Sequence, residues 1–320
     1  MKPFIQVIFF IFISIHSSSQ PDTIIIYLND KEMPCPEASA TKYAVQHKES
    51  AHWKKIVFTL ADDKPIWAAY FSDELCTQFD GLYSLFSKNN KAIVTGRYIN
   101  NKKECIWRGF SDKGILIDSA YYYNGYKHGL SLTWYEDGSP RDSLFFEDDG
   151  NGTGKGYYSD GRLREEGSFE KGKKNGVWTY YNYKNGKKCQ EVSYRSDSAV
   201  SYTCYDEKGN VQTKNCYYEK EATFKGGDQG WIDYLLSKLR SAKYPDAYFR
   251  GEIFGVVYVR FTVSKDGKLT DIEIENSIDP ELDEIALKII MESPRWEPAV
   301  QFNQYVKAYR KQPITFSKAE

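Results

Sequence analysis

At 320 residues the chain is long enough for two or three domains, which excludes a single small core. Lys and Arg number 43 against 44 Asp and Glu, a net charge of -1 that offers no general attraction to nucleic acid or anionic lipid. An apolar fraction of 41% with 16% aromatic residues excludes a disordered chain, and 26 Tyr against three Met favours strands over packed helices.

Residues 1–19 read as a secretory signal: Lys2, an apolar run from Phe4 to Ile15, then His16 and Ser17 to Ser19. As a helix the twelve-residue run would rise only about 18 Å, against a hydrocarbon core of about 30 Å. It predicts export, with a mature terminus near Gln20 and an oxidising compartment. Membrane association is expected only if this segment stays uncleaved, which would leave the protein anchored at the inner membrane and facing the periplasm.

Between residues 20 and 80 the apolar run Thr23 to Leu28 and the alternating segments Lys54 to Leu60 and Ile66 to Phe71 predict leading strands that cap a repeat array. That array occupies residues 81–212. Turn residues Asn90, Gly114, Gly138, Gly161, Gly186 and Gly209 are spaced 24, 24, 23, 25 and 23 apart, and aromatic residues precede each. Tyr122, Gly125, Gly129 and Trp134 recur as Phe169, Gly172, Gly176 and Tyr181, each 47 residues on. Short strands joined by Asn-Gly, Asp-Gly or Lys-Gly turns predict stacked β-hairpins that bury Tyr and Trp between neighbours. With those glycines and tyrosines, residues 81–210 resemble bacterial variants of MORN repeats. Asn90, Asn101 and Cys105 stand where the pattern has glycine.

The six cysteines, at 35, 76, 105, 189, 204 and 216, contain no Cys-x-x-Cys pair, so zinc spacing is absent and no metal site is expected. Buried thiols and disulfides are both open readings. The local bridge best supported is Cys189 to Cys204, because Ser196-Asp197-Ser198 midway between them reads as a hairpin turn that would set them opposite one another.

Residues 213–221 read as a polar linker, and from 222 to 320 helical periodicity appears. Asp228 is the expected cap of a helix carrying Trp231, Leu235 and Leu239. Val257, Val259, Phe261 and Val263 alternate up to an Asp266-Gly267 reversal, which predicts a hairpin. Asp279 and Pro280 open a second helix with Leu282, Ile285, Ala286 and Ile289 on one face. Tyr305 to Phe316 reads as a last strand, and Pro313 within it demands an edge position.

This order, with Gly226-Gly227, Tyr244-Pro245, Gly255, Asp266-Gly267, Asp279-Pro280, Leu282-Asp283, Ala286, Pro294, Trp296, Pro298 and Pro313-Ile314, resembles the TonB C-terminal domain over residues 224–317. The resemblance implies a three-stranded antiparallel sheet with two helices on one face, placed in the periplasm. It also implies capture of a short extended peptide from a TonB-dependent outer-membrane receptor, or another envelope partner, by strand addition to the last strand. Carried over by position, the peptide-binding edge would be Tyr305, Val306, Lys307, Ala308, Tyr309, Arg310 and Lys311. The chain lacks the long proline-rich spacer of the family's full energy transducers. A transducer with an uncleaved anchor, or an antitoxin-like interaction protein built on the array, are the alternative readings.

Fold and function together are expected to be a mainly β repeat array followed by an α+β domain, acting as a periplasmic binding protein. Gly150 to Gly156 departs from a P-loop at both ends, and Asp149, Asn151, Thr153, Gly154 and Asp160 lack the helices that flank a calcium loop, so both read as turns. No catalytic constellation or cofactor motif appears. A non-enzymatic protein is expected.

Overall fold

The computed structural model describes residues 23–317; the expected export signal, residues 1–19, lies outside the described residues. Sixteen strands form one sheet in strict sequence order. The first eight are β1 (Ile24–Leu28), β2 (Lys42–Glu49), β3 (His52–Thr59), β4 (Pro65–Phe71), β5 (Phe79–Phe86), β6 (Ala92–Ile99), β7 (Lys102–Phe110) and β8 (Leu116–Tyr123). The rest are β9 (Tyr126–Trp134), β10 (Pro140–Phe146), β11 (Gly152–Tyr157), β12 (Leu163–Glu170), β13 (Lys173–Tyr181), β14 (Lys188–Arg195), β15 (Ser198–Tyr205) and β16 (Val211–Gln212). The described residues divide into two compact units, one running to 178 with 193–200, the other 179–192 with 201 onward.

The periodic turns share one construction. Ser87, Ser111, Tyr135, Tyr158 and Asp206 each donate their amide to the carbonyl four residues on and accept from the amide three residues on, that of Asn90, Gly114, Gly138, Gly161 and Gly209. All five of these latter residues have positive φ, a conformation that glycine adopts freely and asparagine tolerates. At Gly186 the bond returns to Asn182 instead, one residue further back. That extra residue is the reason for the single spacing of 25.

Along the opposite margin, two-residue turns end at Asn101, Gly125, Gly172 and Asp197, all at positive φ. Their amides donate to Phe79, Lys103, Gly150 and Lys174 of the preceding unit, which ties these four turns to the strands before them. Cys105 (φ 59) occupies the place of Gly129 (φ 64) and Gly176 (φ 73). The three residues that interrupt the glycine pattern in the sequence therefore keep the glycine backbone.

Ring placement supplies the core of the array. Trp107 lies on Gly96, where a Cβ would come within 2.1 Å of the indole, and Trp178 lies on Gly167 at 2.4 Å. Each indole Nε1 donates to the residue after its glycine, Arg97 O at 3.2 Å and Ser168 O at 2.9 Å. Lys103 and Lys174 cap the two rings at 4.2 and 3.8 Å, a cation–π contact. The two assemblies stand 71 residues apart in the sequence, about three repeats.

The leading region holds β1, β3 and β4 as expected, and β2 in addition. Charges and polar groups interrupt the apolar pattern in β2, yet it pairs with β3 from Lys42↔Thr59 to Glu49↔His52.

In the C-terminal region the expected polar linker contains β17 (Glu219–Lys220), followed by α1 (Gly227–Ser241), α2 (Asp246–Phe249), β18 (Gly255–Val263) and β19 (Leu269–Asn276). Next come α3 (Pro280–Met291), β20 (Ala299–Gln301), β21 (Gln304–Val306) and β22 (Ala308–Phe316). Two three-stranded sheets result, in the orders β19-β18-β22 and β17-β20-β21. Val257, Val259, Phe261 and Val263 of β18 pack with Leu282, Ala286 and Ile290 of α3, Trp231 of α1, and Ile314 and Phe316 of β22. The Asp279 side chain accepts from Glu281 N and Leu282 N, with Pro280 at the first turn of α3. At α1 the expected cap is displaced: Gly226, at φ 88, is the N-cap and Asp228 lies inside the first turn. The chain enters that helix through a left-handed Gly-Gly step with Gly227 N bonded to Phe224 O, which needs no side-chain cap.

Cys105→Gly should leave the array as stable or more stable by about 0.5–1 kcal/mol, whereas Gly129→Ala and Gly176→Ala should each lose about 1–2 kcal/mol. No atom lies within 4 Å of a Cβ at either glycine, so any loss is a backbone effect. Urea melts of the three variants measure it, and a destabilised Cys105→Gly would contradict the shared repeat geometry.

Candidate peptide-binding edge

The central strand β18 pairs with β22 along nine residues without a break, from Gly255↔Phe316 to Val263↔Ala308. On its other side β18 pairs with β19. Strand β22 is therefore the sheet margin, and among the described residues no strand pairs with its outer side. Pro313 lies within it, opposite Tyr258, as an edge permits.

Side chains alternate across β22. Ala308, Arg310, Gln312, Ile314 and Phe316 face the helices, while Tyr309, Lys311, Pro313 and Thr315 are exposed. Tyr309 is 85% exposed. Lys311 is tied inward, 3.0 Å from Glu275 and 4.5 Å above the Tyr258 ring. Arg310 pairs with Glu221 at 2.8 Å and donates to Ala222 O. Trp231 Nε1 donates to Gln312 Oε1 at 2.7 Å, so the start of α1 is anchored to the edge strand.

The segment expected as one edge is divided. Tyr305 and Val306 belong to β21 and pair with Val300 and Ala299 of β20; Lys307 is the link; Ala308, Tyr309, Arg310 and Lys311 begin β22. Upstream of the divided segment is the β20–β21 tip, where Phe302 and Asn303 both take positive φ and reverse the chain. Phe302 stacks on Tyr180 with centroids 3.8 Å apart. Its amide donates to Tyr218 O, that of Asn303 to Tyr217 O, and Gln304 Oε1 accepts from Tyr183 N at 2.9 Å. A bulky residue at positive φ is strained, and these contacts hold it there. Sequence reading misses this tip because its partners lie far upstream, Tyr183 being 121 residues from Gln304; the Phe-Asn pair was the local signal.

The disulfide expectation is corrected. Cys204 bonds Cys216, with Cα atoms 5.6 Å apart, and Cys189 is free. After β15 the chain turns into β16, which sets Gln212 opposite Cys204, and then brings Cys216 back over that position. The Cys189 thiol instead faces Tyr180 O and Phe302 O, both at 3.4 Å. Burial pushes its pKa up to about 12, so it stays protonated.

Among the described residues no group of His, Cys, Asp and Glu could hold a metal ion, and no helix is long and apolar enough to cross a membrane.

A sheet with one long unpaired margin and helices on one face defines a module suited to strand addition. Residues 240–317 match the family model described as Gram-negative bacterial TonB protein C-terminal. Residues 240–317 are thus similar to the C-terminal domain of TonB proteins, a protein-interaction domain in that family. The match does not extend into the strand array. No curated protein matches the chain. Among solved structures, the crystal structure of TarM shares 18% identity over 31% of this chain and 19% of its own, with a TM-score of 0.22. A point mutant of S. aureus TarM in complex with Fondaparinux, alpha-GlcNAc-glycerol and UDP shares 14% over 38% and 21%, with a TM-score of 0.23. The chain thus spans about a fifth of either.

Peptide mapping without reduction should recover a Cys204–Cys216 peptide, with Cys189 alkylated only after denaturation. Cys216→Ser should cost about 3 kcal/mol in a urea melt, the scale for closing a loop of this length. Recovery of a Cys189–Cys204 peptide would contradict this pairing.

Proposed function

We propose that this is a periplasmic TonB-like protein that captures extended peptide segments of outer-membrane receptors, or of other envelope proteins, by adding them as a fourth strand outside β22. The observation that carries the reading is the uninterrupted pairing of β22 with β18 on one side and the lack of any strand on the other among the described residues. Backbone groups of Ala308 to Lys311 and of the residues beyond them would supply affinity. About six ladder bonds at roughly 0.5–1.5 kcal/mol each give some 3–9 kcal/mol before the peptide is ordered, which suits reversible capture. Tyr305, Val306 and Lys307 would lie at the entrance to this edge. The array, with its MORN-like turns, would serve as an interaction or spacer module ahead of the domain.

Proline on the edge tests this. Adjacent amides on a strand point to opposite sides, so one of Ala308→Pro and Tyr309→Pro removes an outward donor. That variant should weaken binding of a receptor-derived extended peptide at least about tenfold, or about 1.4 kcal/mol, while Tyr309→Ala should change it far less. Fluorescence anisotropy with the full chain measures the affinities. Unchanged binding by both folded proline variants would overturn strand addition and leave the basic residues as protection of a bare edge.

A further inference from the structure

A cavity of about 150 Å³ opens between β22, the 222–224 segment and the first turn of α1. Phe224, Trp231, Phe261 and Trp296 wall it, and Arg310 and Asp228 supply its charged groups. The aromatic wall is preformed: Trp231 stands 5.1 Å from Phe224 and 4.9 Å from Trp296, ring centre to ring centre. Those rings are almost wholly buried.

One polar atom here lacks a partner. Arg310 spends its terminal nitrogen on Glu221 and Ala222 O, but its Nε is enclosed and bonds no protein atom. A buried donor without an acceptor is costly, and an acceptor entering the cavity would relieve that cost. Asp228 on the rim is an acceptor in turn. Arg310 and Lys311 are already paired with Glu221 and Glu275, which leaves Asp228 on the rim, and an aromatic wall disfavours a net ion. The complementary ligand group is therefore neutral, carries both an acceptor and a donor, and is the size of one side chain. A primary amide has those properties.

The position of the cavity decides which molecule brings that group. Arg310 and Gln312 project to the helix-bearing face of β22, alternating with Tyr309 and Lys311. A strand added outside β22 places every second side chain on that same face, level with Arg310 and Gln312.

We infer that this cavity is a specificity pocket for a Gln or Asn side chain of the captured peptide, with Arg310 Nε as donor to the amide oxygen and Asp228 as acceptor of the amide N–H. The inference rests on strand addition at β22. Pairing with the backbone tolerates most sequences; the pocket selects one residue and with it the register.

The test uses the full chain and fluorescein-labelled nine-residue peptides of alternating Thr and Val, flanked by lysines for solubility. Gln, Asn, Glu, Leu or Ala is placed in turn at each central position, and anisotropy gives the affinities. Gln or Asn at one position should bind about tenfold tighter than Leu or Ala, and tighter than Glu. In Arg310→Met that preference, read as the ratio of Gln to Ala affinities within the same variant, should shrink to about twofold or less. Arg310→Gln, checked by its melting temperature, serves if the first variant does not fold. Equal affinities for Gln, Leu and Ala at every position would overturn the pocket and leave strand addition standing. A preference for Glu over Gln would overturn the amide assignment in favour of simple charge. Failure of every peptide to bind would overturn strand addition, and the pocket with it.

Discussion

A sheet that folds without a second layer must cover itself, and this need shapes the whole array. Among the described residues the first compact unit contains strands and one short 3-10 turn, Glu37–Ser39, so it has no α-helix of its own to pack on its sheet. Burial is achieved by laying large rings over neighbouring strands that present almost no side chain. Trp107 on Gly96 and Trp178 on Gly167 are the clearest cases. A methyl group at either glycine would occupy the space of an indole, so the two positions depend on one another.

The same economy explains the turns. A meander with a repeat near 24 residues must reverse at fixed points, and each reversal requires a residue that accepts positive φ. Asn90 and Asn101 meet that requirement without glycine, and Cys105 takes positive φ within β7. The repeat is therefore better preserved within the chain as backbone geometry than as residue identity. Bonds between successive turns, such as Gly172 N to Gly150 O at 2.7 Å, pass this order from unit to unit.

At the C-terminal end the constraint is reversed, because there a margin is left open. Long bare edges invite aggregation, and proteins blunt them with charge and proline. Strand β22 carries Arg310, Lys311 and Pro313, yet both basic side chains are engaged by Glu221 and Glu275, and among the described residues no strand pairs with its outer margin. The strained tip at Phe302 fixes where β20 ends and β21 begins, and Lys307 separates β21 from the open strand β22.

Several features were legible in the sequence because their causes are local. Turn glycines, alternating apolar residues in β18, the Asp279-Pro280 entry to α3 and the edge position required by Pro313 all follow from short-range sterics and periodicity, and they placed the final strand at a margin. The remaining features depend on segments far apart in the chain. Cys204 pairs with Cys216 and not with Cys189 because the path after β16 returns over β15, which no hairpin rule anticipates. Tyr305 and Val306 pair with β20 in a hairpin whose tip, Phe302, packs on the upstream Tyr180 and Tyr218. The cavity beside Arg310 exists only where β22, α1 and the 222–224 segment meet. Composition and spacing determined which segments became strands and where they turned; packing between distant segments decided which edge stayed open and which side chains surround it.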